Sequence, residues 1–146
     1  MFHDILVPLD LEDPKIWSRA LDAAVILART FDAKLHLLTV LPEFGLPSVA
    51  QYFPPDYEEK RRREARMGLE TVAKTRLPDD VRFDLIVGEG TVWREILRVA
   101  EERRCDLVVM GSHVPGLRDY VLGANATRVA QRARSSVMIV RSEKAA

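Results

Sequence analysis

The sequence predicts a doubly wound α/β fold: one five-stranded parallel sheet with helices on both faces, in a single domain over residues 1–146. Two observations carry this. Short apolar runs alternate with segments of helical period in the order β-α-β-α-β-α-β-α-β, and such alternation implies parallel strands joined by right-handed crossovers. The first, fourth and fifth runs are almost continuously apolar, which is how strands covered on both faces read.

The elements follow in order. Ile5-Leu6-Val7 is the first strand. Asp13-Pro14 then supplies an N-cap and a proline at the first helical position. Trp17, Ala20, Leu21, Ala24, Leu27, Ala28 and Phe31 form one stripe at the helical period. Leu35 to Leu41 is the second strand, and residues 42–55, rich in proline and aromatics, are the longest irregular stretch. Asp56 with Glu59 resembles a capping box, opening a helix that turns Leu69, Val72 and Ala73 inward. Val81 to Val87 is the third strand. Thr91 caps a third helix with Trp93, Ile96, Leu97 and Ala100 on one face. Leu107 to Met110 is the fourth strand, and a fourth helix from about 124 to 134 buries Ala126, Val129, Ala130 and Ala133. Val137 to Val140 closes the sheet as an edge strand. In open sheets of this kind the ligand crevice lies at the carboxyl ends of the strands, where strand order reverses.

Charge narrows the function. Lys plus Arg and Asp plus Glu number 22 each, so no net field draws the domain to nucleic acid or to an anionic membrane. Lys60-Arg61-Arg62-Arg63 and Arg66 interleave with Glu58, Glu59 and Glu64, the pattern of a solvated helix face. No run approaches a membrane span, and the N-terminus lacks the signature of a signal peptide. The single cysteine, Cys105, precedes an apolar strand and is expected to be inert core. These features point to a protein of the reducing cytoplasm.

The stretch from Gly111 to Ala126 is the richest in candidate chemistry. It leaves the fourth strand and enters the fourth helix. Gly111 permits close approach of backbone to a ligand. The Gly123-Ala124-Asn125-Ala126 end offers free helix N–H groups and a positive dipole end, a ready anion site. Arg118 adds a guanidinium in the same loop. The same residues also read as a glycine-punctuated connector with an Asn N-cap, and composition alone ranks the two equally. Other chemistries have less support. The P-loop pattern is absent, Gly88-Glu89-Gly90 lacks the third glycine of a dinucleotide fingerprint, and Ser112-His113 is not set in a nucleophile elbow. His3, His36 and His113 are too scattered for a metal site.

Taken together, several pieces resemble universal stress proteins. They are Ile5-Leu6-Val7-Pro8-Leu9-Asp10, Leu37-Leu38-Thr39-Val40, Gly90-Thr91-Val92, Val108-Val109-Met110-Gly111-Ser112-His113 and Val137-Met138-Ile139-Val140-Arg141. Their order and spacing span essentially the whole chain. The resemblance implies a Rossmann-like, adenine nucleotide alpha hydrolase-like fold that binds ATP or another adenine nucleotide. It places Pro8, Leu9, Asp10, Val40, Met110, Gly111, His113, Gly116, Arg118, Gly123, Ala124, Asn125 and Ala126 around that nucleotide. In this scheme Asp10 meets ribose hydroxyls or Mg²⁺, and Val40 packs on adenine. The glycine signature departs from the family's ATP-binding form: Val114 stands at the second glycine, and Ala124 replaces a phosphate-binding Ser or Thr. Gly116 and Asn125 are the residues that would take over those roles. The resemblance further implies a regulatory protein without efficient catalysis, acting through nucleotide-dependent contacts with a protein partner. It also implies a homodimer through the terminal strand, residues 137–141. The alternatives are a nucleotide-free interaction module of the same fold and a weak ATP hydrolase.

Overall fold

The structure is a computed structural model and describes residues 1–43, 55–112 and 122–142. Five strands, β1 (Asp4–Pro8), β2 (Lys34–Leu41), β3 (Phe83–Glu89), β4 (Leu107–Ser112) and β5 (Ser136–Arg141), pair in the order β3-β2-β1-β4-β5, and every pairing is parallel. The described residues also form four helices: α1 (Pro14–Phe31), α2 (Tyr57–Arg76), α3 (Val92–Glu102) and α4 (Ala124–Arg132).

Strand alternation divides the core into two layers. Ile5 and Val7 of β1, Leu35 and Leu37 of β2 and Val109 of β4 face one side, where Trp17, Leu21 and Ala24 of α1 and Leu69 and Ala73 of α2 cover them. Leu6, Leu38, Val108 and Met110 face the other, under Ile96 and Val99 of α3 and Ala126 and Val129 of α4. Burial on both faces explains the unbroken apolar runs in β1 and β4.

Local details differ from the sequence expectations, each for a physical reason. The third strand runs two residues later than its apolar run implies. Val81 is buried, but it sits in a turn with its N–H on the Pro78 carbonyl. Asp13, Asp56 and Thr91 occupy N-cap positions yet make no side-chain capping bond. The α4 helix ends at Arg132, and Ala130 is exposed because the helix turns it away from the sheet. Residues 44–54 of the long irregular stretch, and the tail from 143, lie outside the described residues.

A polar cluster closes the amino ends of the strands. His36, only 4% exposed, shares a face with Leu6 and lies between two carboxylates. Its Nε2 is 2.8 Å from Asp4 Oδ1. Its Nδ1 is 2.7 Å from Asp84 Oδ1, but off-line for a hydrogen bond, and neither of those two atoms has another hydrogen-bond partner. Arg103, at the end of α3, holds the other oxygen of Asp84 at 2.7 Å. The Asp106 carboxylate accepts the backbone N–H groups of His3 and Asp4. The three histidines are scattered in sequence, and parallel pairing brings one of them to two acids on neighbouring strands.

Candidate functional site

Strand order reverses between β1 and β4, so the chain leaves these adjacent strands in opposite directions and opens a crevice at their carboxyl ends. A cavity of about 930 Å³ fills that crevice. Ten residues singled out from the sequence line it: Pro8, Leu9 and Asp10 after β1, Val40 on β2, Met110 and Gly111 on β4, and Gly123, Ala124, Asn125 and Ala126 at the start of α4. The remaining three, His113, Gly116 and Arg118, lie outside the described residues.

Each wall has a local cause. Asp10 is exposed and its Oδ1 accepts the Glu12 N–H at 3.0 Å, shaping the loop into α1. Its carbonyl accepts the indole N–H of Trp17 at 2.6 Å and the Asp13 N–H at 3.0 Å. Asp10 is therefore both a turn-forming aspartate and a carboxylate on the cavity wall.

Gly111 serves a packing need besides the one its sequence context suggests. A Cβ there would stand 1.9 Å from the Ile16 carbonyl oxygen. The missing side chain makes room for the first turn of α1 against β4, and the same residue lines the cavity.

At the entrance to α4, Gly123 is the N-cap and Asn125 lies inside the helix, so Asn125 is not the cap. The N-cap glycine has no side chain to cap this end, and the N–H groups of the first turn have no acceptor within the helix. The N–H of Gly123 itself is taken by Ser112 Oγ at 3.0 Å. Ser112, 5% exposed, thus ties the end of β4 to the start of α4 across the intervening loop.

Residues that sequence reasoning passed over also line the cavity: Ile16, Trp17, Thr39, Ser112, Arg61 and Glu64. The last two belong to the mixed-charge segment whose pattern predicts a solvated face. They come from α2, whose Arg61 donates to the Pro42 carbonyl at 3.1 Å, joining helix to the exit of β2. The charged side chains on the described wall are Asp10, Glu12, Glu64 and Arg61. Among the described residues no three His, Cys, Asp or Glu side chains gather as metal ligands.

An open doubly wound sheet with a cavity at its switch point is the architecture of an α/β domain whose crevice is its candidate ligand site. The universal stress protein family matches the chain over residues 1–141, and the chain belongs to that family. Universal stress protein G of Escherichia coli O157:H7 is 34% identical over 145 residues, covering 97% of this chain and all of the relative. The solved structure of hypothetical protein MJ0577 superposes with a TM-score of 0.82 at 25% identity, covering 99% of each chain. A universal stress protein crystallised in complex with cAMP has a TM-score of 0.60 at 23% identity, covering 97% and 98%, a likeness of fold.

Proposed function

We propose that the cavity receives an adenine nucleotide and that the protein is a regulatory binding protein of the reducing cytoplasm. The observation that carries the reading is one cavity whose wall joins Asp10, Val40 and the uncapped N-terminus of α4. An adenine ring packs on the apolar side formed by Val40, Met110 and Ile96. Asp10 accepts from ribose hydroxyls, and the first-turn N–H groups of α4 meet phosphate. The cAMP complex is a precedent within the fold for an adenine nucleotide.

The wall as described carries three carboxylates and one guanidinium. That balance favours contacts to the nucleoside over a strong hold on a triphosphate. Asp10 offers one carboxylate toward Mg²⁺, and the described residues build no complete metal site around it. The P-loop lysine is absent from the sequence, so the expected role is binding without efficient turnover. The protein acts as a dimer through β5 and signals through nucleotide-dependent contacts with a protein partner.

Equilibrium dialysis with labelled ATP and ADP tests the reading. Gly123 has φ −64°, a conformation open to any residue, so Gly123→Val leaves the fold intact and blocks the phosphate path. Equal binding by parent and variant overturns the placement. The acidic wall also favours a second reading, a nucleotide-free interaction module. Mass spectrometry of small molecules released from denatured, freshly purified protein separates the two.

A further inference from the structure

We propose that the surface around Trp93, which is not part of the cavity wall, is a docking site for an acidic protein segment. Trp93, the second residue of α3, is half-buried and packs against the core beneath α3 and α4. Three guanidinium groups stand over its ring. Arg94 lies 5.0 Å from the ring centroid, Arg128 5.3 Å and Arg132 4.9 Å. All three arginines are exposed. Sharing one ring, their charges stand within about 10 Å of one another, so salt only partly screens their repulsion.

No described residue neutralises this cluster. The sequence of α4 contains no acid, and Arg128 and Arg132 hold the i, i+4 spacing at which like charges repel. The acids of α3 are engaged elsewhere: Glu95 and Glu102 with Arg98, and Glu101 with Arg134. Among the described residues, no carboxylate lies within ion-pair distance of Arg94, Arg128 or Arg132. Most other described arginines behave differently; Arg29, Arg62, Arg76 and Arg103, for example, each pair with an acid.

A guanidinium held near an indole ring makes no hydrogen bond to it, and its N–H fork matches a carboxylate bidentately. Trp with Arg is also the composition of interface anchors. Three such forks on one rigid aromatic base fit closely spaced Asp or Glu side chains. A nucleic acid fits less well. Its affinity rests on many phosphate contacts and a basic field, and this chain has equal numbers of basic and acidic residues.

The test uses the full chain and a fluorescein-labelled oligoglutamate peptide, read by anisotropy at low and at physiological salt. Binding that weakens with salt, and falls at least about tenfold in the R94E/R128E/R132E variant, is expected. The K60E/R63E variant on α2 retains binding. If charge reversal disturbs the far-UV circular dichroism, R94K/R128K/R132K decides the matter. It keeps the charge but loses the forks, so a measurable drop is expected. Unchanged binding in either cluster variant that stays folded overturns the proposal. So does an absence of peptide binding, or tighter binding of a single-stranded oligonucleotide of equal charge.

Discussion

Gly111→Ala tests how α1 seats on β4. The new Cβ would lie 1.9 Å from the Ile16 carbonyl oxygen, 2.8 Å from its carbon and 3.2 Å from Trp17 Cα. Ordinary contact begins near 3.4 Å, so the first turn of α1 must retreat by about 1.5 Å. All three neighbours are backbone, and no rotamer change relieves the clash. The retreat lifts Trp17 from the core and stretches its 2.6 Å bond to the Asp10 carbonyl. Overpacking costs about 1–3 kcal/mol and the weakened hydrogen bond about 1 kcal/mol, for a loss of about 3 kcal/mol. At about 2–4 °C per kcal/mol for a chain of this size, Tm should fall by about 10 °C. Thermal unfolding followed by circular dichroism reads the change. Gly88→Ala is the internal comparison: its Cβ meets Glu95 Oε2 at 2.8 Å, a side-chain end that swings aside. Its loss should stay below about 1 kcal/mol. Equal Tm values for the two variants would refute the packing argument.

Three further outcomes are expected. Burial first, then the charges of Asp4, Asp84 and Asp106, push the Cys105 thiol up to about 12. A disulfide reagent at mildly alkaline pH should therefore label the native protein only through opening, and immediate labelling would count against burial. Because the folded thiol holds its proton longer than the unfolded one, stability should decline as pH climbs from about 9 toward about 12, a decline missing from Cys105→Ala. His36→Ala leaves Asp4 and Asp84 without the imidazole between them; their partial exposure limits the loss to about 2 kcal/mol. Urea unfolding that shows less than about 0.5 kcal/mol would remove the cluster from the account of stability. At the edge, β5 has a neighbour on one side only and exposes Met138. Sedimentation should give a dimer for the parent and a monomer for Met138→Lys, Val140→Pro. A parent that sediments as a monomer at micromolar concentration, or a variant that stays folded and dimeric, would sink the idea.

The strands that were easiest to read are those buried twice over. In β1 and β4 every central position must be apolar, and no competing pattern exists. Pro14 fixed the start of α1 for an equally local reason, since proline suits the first turn of a helix. At the edge the signal weakens. β3 has one neighbour and mostly half-buried positions, so the buried turn residue Val81 counted as strand. The site divides along the same line. Asp10 and the residues at 123–126 sit where a strand or helix ends, and the end itself is visible in sequence. Ser112 is different: only the folded chain brings its hydroxyl to the N–H of Gly123, eleven residues on. Arg61 and Glu64 depend on the rotation of α2 about its axis, which alternating charges do not report. The packing role of Gly111 is invisible in its sequence context, because the backbone it makes room for lies ninety-five residues earlier.

The same two helices serve both surfaces. Val92 lies on the cavity wall and Trp93, the next residue, carries the arginine cluster. Ala124, Asn125 and Ala126 line the cavity, and Arg128 and Arg132 follow one and two turns along α4. The backbone hydrogen bonds of a helix make its turns move together. On the proposed reading, a ligand that drew the first turn of α4 toward the crevice would also shift Arg128 and Arg132 over the Trp93 ring. Conversely, an acidic segment that fixes those arginines fixes the N–H groups at the cavity. Close packing of Ala126 and Val129 beneath α4 restricts that motion to small sliding steps. Whatever free energy couples the two surfaces must be the same in both directions. On the proposed reading, α3 and α4 are the two elements through which such coupling would pass.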